Sequence, residues 1–171
     1  MHFLVYFIVS LLLATVQTTL LPVFPRLFAQ YDLLIPFVVF LTLFRSSIGR
    51  LPVILISGSL MDLLSGGSVG VYLITYILIL ANFRKVTVYF HFKETVLFQI
   101  VIVLSVLIEN LIFGLVISLQ AWSVHLSFDA IAVLATQLMW ALVSSPLLYF
   151  AFNSMFNGID KFIIGGLKEK I

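Results

Sequence analysis

The sequence contains no cysteine. Disulfides, thiolate catalysis and cysteine-ligated metals are therefore excluded. Charge is almost as scarce. Asp, Glu, Lys and Arg make up 9% of the residues against 63% hydrophobic, and the mean hydropathy is +1.24. No soluble domain of 171 residues carries that balance, so the composition is that of a polytopic membrane protein. The three histidines, His2, His91 and His125, lie far apart and show no ligand spacing. No glycine-rich phosphate loop is followed by lysine, and no Ser, His and acid arrangement matches a catalytic motif. The chain is thus expected to be no enzyme, to hold no cofactor or metal, and to bind no nucleic acid. Polar stretches long enough for an extramembrane domain are missing too, which leaves no room for a soluble catalytic module.

What is present is a series of apolar runs. At about 20 residues per span plus short loops, they predict one transmembrane domain, 1–171, with six spans near 3–21, 33–44, 51–64, 69–83, 95–120 and 128–153. The first run has the length of a signal peptide. It lacks a basic n-region and a small-x-small site before Pro22, so it is expected to be retained. On it, Ser10, Ala14 and Thr18 form a small, polar stripe with Gln17 beside them, suited to close helix contact. Pro36 predicts that the short second span is tilted, kinked or extended. Arg45 to Arg50 reads as a tight basic turn. The charged stretch 84–94, interleaved with Val86, Val88, Phe90 and Phe92, suits the interface. Trp122 falls at belt height, Ser145-Pro146 permits a kink, and Asn157-Gly158 is expected to end the last span.

Basic residues set the orientation. With the N-terminus inside, eight of the nine Lys and Arg fall on inner segments and only Arg26 on an outer loop. So strong a bias over short loops predicts that both termini are cytoplasmic. Spans 1, 3 and 5 then run outward. Gln17, Asp62, Glu109, Asn110 and Gln137 consequently cluster in the outer half, with Asp32 at the start of span 2. Intramembrane polar groups avoid lipid. They fit either a cleft open to the outside or interhelical hydrogen bonds that fix packing, worth roughly 0.6–2 kcal/mol each.

The stretch Ser57 to Gly70 joins spans 3 and 4, with Asp62 in its apolar part and an uncharged Gly and Ser hairpin after it. Gly66, Gly67 and Gly70 read as turn geometry. Free N–H groups at Ser68–Val71 would attract the Asp62 carboxylate, which makes a structural cap the favoured role over a functional acid. Glu109 lies deeper, with Ser105 and Gln120 on its face and Asn110 and Gly114 beside it. Packing or partner contact is favoured there over transport-coupled protonation, because no basic residue lies inside any span to pair with it.

Three segments carry a family resemblance. Asp32-Leu33-Leu34-Ile35 opens span 2, although Tyr31 stands where many relatives have Pro. Gly58-Ser59-Leu60-Met61-Asp62-Leu63-Leu64-Ser65-Gly66 matches a Gly-x-x-x-Asp-apolar-apolar-Ser-Gly pattern, and Gly70-Val71-Tyr72-Leu73 opens span 4. Over 31–83 the chain resembles the rod shape-determining protein MreD family; in spans 5 and 6 the likeness is only general. The resemblance implies an all-α, six-helix bundle like the substrate-binding S components of energy-coupling-factor transporters. It further implies a non-enzymatic scaffold of cell elongation and peptidoglycan synthesis in the bacterial inner membrane. Its partners would be MreC and, through it, MreB, a SEDS-family glycosyltransferase and a class B penicillin-binding transpeptidase. Two alternatives stay open: a true S component for a vitamin or metal, and a protein that binds membrane lipids in its outer cleft.

Overall fold

The computed structural model describes residues 2–19, 31–45, 47–66, 70–83, 93–121 and 128–168. Among the described residues the protein is entirely helical. Its elements are α1 (His2–Thr19), α2 (Leu34–Phe44), α3 (Ser47–Ser65), α4 (Val71–Phe83), α5 (Glu94–Ala121) and α6 (Phe128–Lys168). Of the expected interfacial stretch 84–94, residues 84–92 lie outside the described residues, as does the belt position of Trp122, and Glu94 opens α5. The helices alternate in direction. The end holding the C-termini of α1, α3 and α5 is called the upper end, and the end holding Arg45 the lower end.

α2 is the axis of the bundle. It packs against each of the other five helices, and Leu34, Ile35, Phe37, Val38, Val39 and Leu41 are completely buried. Its sequence suits that place, being apolar on every side. Thr42 is the exception, and its hydroxyl donates to the Val38 carbonyl within the same helix. Pro36 causes no break there. It is the third residue of α2, where a helix amide has no intrahelical partner to lose. Around α2 the order is α1, α3, α4, α5, α6. α1 and α6 are not packed along their length, though the rings of Tyr6 and Phe156 meet edge-on with centroids 5.2 Å apart.

The small stripe of α1 is spent inside the bundle. Ser10 and Ala14 are buried, and α1 packs against α3. The α3–α4 contact is closer still: a Cβ built on Gly58 would lie 2.8 Å from the Leu73 Cα.

The lower end is fixed by two arginines. Arg50 opens no loop; α3 begins at Ser47, and Arg50 is buried in its second turn. Its guanidinium donates to the carbonyls of Thr42 and Arg45, each at 2.9 Å, which caps the C-terminus of α2. Arg45 lies over the rings of Phe40 and Phe156, at 5.9 and 5.2 Å, and pairs with Asp160 at 2.5 Å. Asp160 belongs to a part of α6 that was expected to lie past its end. Asn157-Gly158 does not terminate the helix, which runs on to Lys168. Glycine stops a helix when it takes a positive φ; Gly66 and Gly70 do so and Gly158 does not.

α5 over Glu94–Leu119 and α6 over Ile131–Asp160 are long and apolar enough to cross a membrane; α1, α2 and α4 are shorter apolar helices. The outer surface is strongly apolar as well, with Leu4, Leu63, Leu119, Leu147 and Phe150 all more than half exposed. A surface of that kind is one that lipid or a partner covers.

Candidate functional site

The polar residues gather at the upper rim of the core, where α2 begins. Asp32 precedes α2 and is 2% exposed. One carboxylate oxygen accepts the Leu34 amide at 2.8 Å, which ties down an otherwise unpaired N–H of the first turn. The other accepts the Tyr76 hydroxyl of α4 at 2.6 Å. Gln17 arrives from α1, and its side-chain carbonyl accepts the Leu33 amide at 3.0 Å. The start of α2 is therefore held by side chains of three helices or their flanks. Tyr31, also buried, shares a 2.9 Å hydrogen bond with Ser144 of α6.

Glu109 faces this group from α5. It is 4% exposed and lies within electrostatic range of Asp32 and of the hydroxyls of Tyr31, Tyr72 and Tyr76. Its neighbours on α5 are already committed. Ser105 donates to the Val101 carbonyl, and Asn110 donates to Gln137 of α6 at 2.7 Å and to the Val106 carbonyl. Glu109 itself has no hydrogen-bond partner among the described residues.

Asp62 stands apart from this group and serves another helix end. Its two carboxylate oxygens accept the Tyr72 and Leu73 amides at 3.0 and 3.2 Å. Those are the second and third residues of α4, so Asp62 of α3 caps α4 from across the hairpin. The amides lie slightly further along the chain than the Ser68–Val71 groups expected to attract it. Gly70, at φ 97°, supplies the carbonyl that accepts the Ile74 amide, the first turn of α4, at 2.9 Å. Gly66, at φ 63°, follows the last residue of α3 in the left-handed conformation glycine favours.

The structure thus brings Gln17, Asp32 and Glu109 to one layer, sets the Asn110–Gln137 pair beside it, and gives Asp62, Gly66 and Gly70 to the α3–α4 hairpin. The tyrosines and Arg50 were missed by sequence reasoning. Tyr72 and Tyr76 sit one turn apart in an apolar run and count there as aromatic bulk, although a buried tyrosine hydroxyl normally needs a partner. Among the described residues no three His, Asp or Glu side chains converge to hold a metal ion.

No protein-family model matches the chain, and no curated protein or solved structure matches it either.

Proposed function

We propose that this chain is a non-enzymatic, six-span scaffold of the bacterial cell-elongation machinery that binds MreC in the inner membrane. One observation carries the reading. Two of the three segments that carry the resemblance to the MreD family, Gly58–Gly66 and Gly70–Leu73, have a geometric duty in the α3–α4 hairpin. Gly58 lets α4 approach, Asp62 caps it, and Gly66 and Gly70 adopt positive φ. A segment used to hold a fold rather than to perform chemistry suits a protein whose work is assembly. The six-span topology rests on the six apolar runs of the sequence and on eight of nine basic residues falling on one side; α5 and α6 are the helices long and apolar enough to cross by themselves among the described residues.

The rival reading as a transporter S component draws on the α1 stripe as a contact surface for a coupling subunit. Ser10 and Ala14 are buried inside the bundle and present no such surface. Copurification from native membranes tests the proposal. Recovery of MreC with the tagged chain is the expected outcome; recovery of a transporter coupling subunit without MreC would overturn it.

A further inference from the structure

Glu109 is the one carboxyl of the polar layer whose needs the described residues leave unmet. Asp32 has a hydroxyl and a backbone amide, and Asp62 has two backbone amides. Glu109 has none among the described residues and is 4% exposed. Every Lys and Arg among the described residues lies at the lower end, at Arg45, Arg50, Lys93, Lys161 and Lys168. An ionised carboxylate removed from water without a partner is strongly unfavourable. A carboxyl so placed holds its proton unless a cation from beyond the described residues answers its charge.

Glu109 lies toward the upper end of the described core, with 4% of its surface exposed. Among the described residues, Glu109 is also the last buried one of α5. Residues 111–119 of α5 and 131–136 of α6 are all partly or fully exposed, although α5 rises for about 18 Å above Glu109 at 1.5 Å per residue. Among the described residues the core of α5 stops at this carboxyl.

The surroundings select the chemistry. A hard metal ion needs several oxygens, and no three acid or His groups converge among the described residues. Aromatic faces are present instead. The rings of Tyr72 and Phe113, both partly exposed, meet edge-on with centroids 5.5 Å apart. Phe113 is one turn above Glu109 on α5, and Tyr72 of α4 reaches the site through its contact with Phe113. One carboxylate beside aromatic rings is the combination that recognises an organic ammonium group. We propose that Glu109, with the rings of Tyr72 and Phe113, forms a binding site for an organic ammonium that enters from the upper end. The ammonium of a phospholipid headgroup and that of a small free amine share this chemistry. The inference does not rest on the scaffold reading, and either can fail alone.

The full chain in nanodiscs of mixed phosphatidylethanolamine and phosphatidylglycerol, released into a native mass spectrometer, provides the test. Wild type is expected to retain phosphatidylethanolamine in preference to phosphatidylglycerol. Glu109→Gln keeps shape and removes charge, and should lower the phosphatidylethanolamine adducts about tenfold while leaving phosphatidylglycerol unchanged. Tyr72→Leu keeps the carboxyl and the backbone amide that Asp62 accepts, and should lose a smaller share of the same adducts. Free ethanolamine, added to protein in phosphatidylglycerol-only nanodiscs, separates the sources. A rise in Tm for wild type but not for Glu109→Gln identifies a free amine as a ligand. No rise, with phosphatidylethanolamine preference retained, identifies the lipid. Equal retention of both lipids by wild type and Glu109→Gln, with no ethanolamine effect, would overturn the proposal.

Discussion

Asp62 shows how much one side chain can do from outside the helix it serves. Its carboxylate holds two amides of α4 that have no partner within that helix. Asp62→Leu removes both acceptors and should cost about 1–3 kcal/mol, read as lower membrane abundance and a lower Tm. Asp62→Asn keeps one acceptor oxygen and should be mild; under the proposed scaffold role, MreC pull-down and cell shape are then preserved. Normal abundance with lost function in Asp62→Asn would make the acid a functional group instead. Gly58 yields a second residue-scale prediction. Gly58→Ala puts a Cβ 2.8 Å from the Leu73 Cα, backbone that cannot swing aside, so α3 and α4 must part. A loss of about 1–3 kcal/mol is expected from overpacking, measured by thermal denaturation in detergent. The cap was legible in the sequence because a lone acid just before a short hairpin has few uses. Tyr76 as partner of Asp32 was not, since nothing in a linear string marks which of several tyrosines will face a given carboxylate across 44 positions.

At the scale of elements, α2 decides the architecture, and the sequence said least about it. An amphipathic helix announces its buried side; one apolar all round announces only that it is covered or in lipid. Its proline pointed toward a kink because a helix start cannot be located to one residue by pattern alone. Arg50 was read as part of a turn for a related reason: its place inside α3 depends on where that helix begins. The extension of α6 past Gly158 was hidden because a glycine can be read as a stop only when its backbone angles are known. α2 and the exposed flank of α6 should respond differently to truncation. Phe40 is 1% exposed, stacks on Phe156 at 5.6 Å and also contacts Phe98, Tyr149 and Phe152. Leu147 is 70% exposed. Phe40→Ala should fall toward the lower part of about 3–5 kcal/mol, because lipid replaces water in the reference state while the cavity remains. Leu147→Ala should leave the Tm almost unchanged. Equal losses for the two would show that α2 is not the core.

For the whole molecule, the testable quantity is topology. Cysteines introduced into this cysteine-free chain at Ser68 or Ser123 should react with an impermeant reagent from outside, and those at Ser47 or Glu169 should not. Labelling of Ser47→Cys from outside would reverse the orientation drawn from the basic residues. Helical class and the inward placement of Gln17, Asp32, Asp62, Glu109 and Gln137 were accessible from composition and from the cost of polar groups in lipid. Which helix lies beside which was not, since apolar helices of similar make-up can be arranged in many orders.

The position of α2 also bears on how the chain is made. Its 11 residues reach about 16 Å, roughly half of a hydrocarbon core about 30 Å thick. Ribosomal synthesis delivers α2 after α1 and before α3 to α6, four of the five helices that cover it. Under the proposed six-span topology, its remaining sides rest in the interval against lipid or the insertion machinery. A helix with phenylalanine, valine, leucine and isoleucine on every side can wait there without exposing a polar group, and its single hydroxyl is already bonded to its own backbone. Its uniform sequence is thus as much a requirement of the unfinished protein as of the finished one.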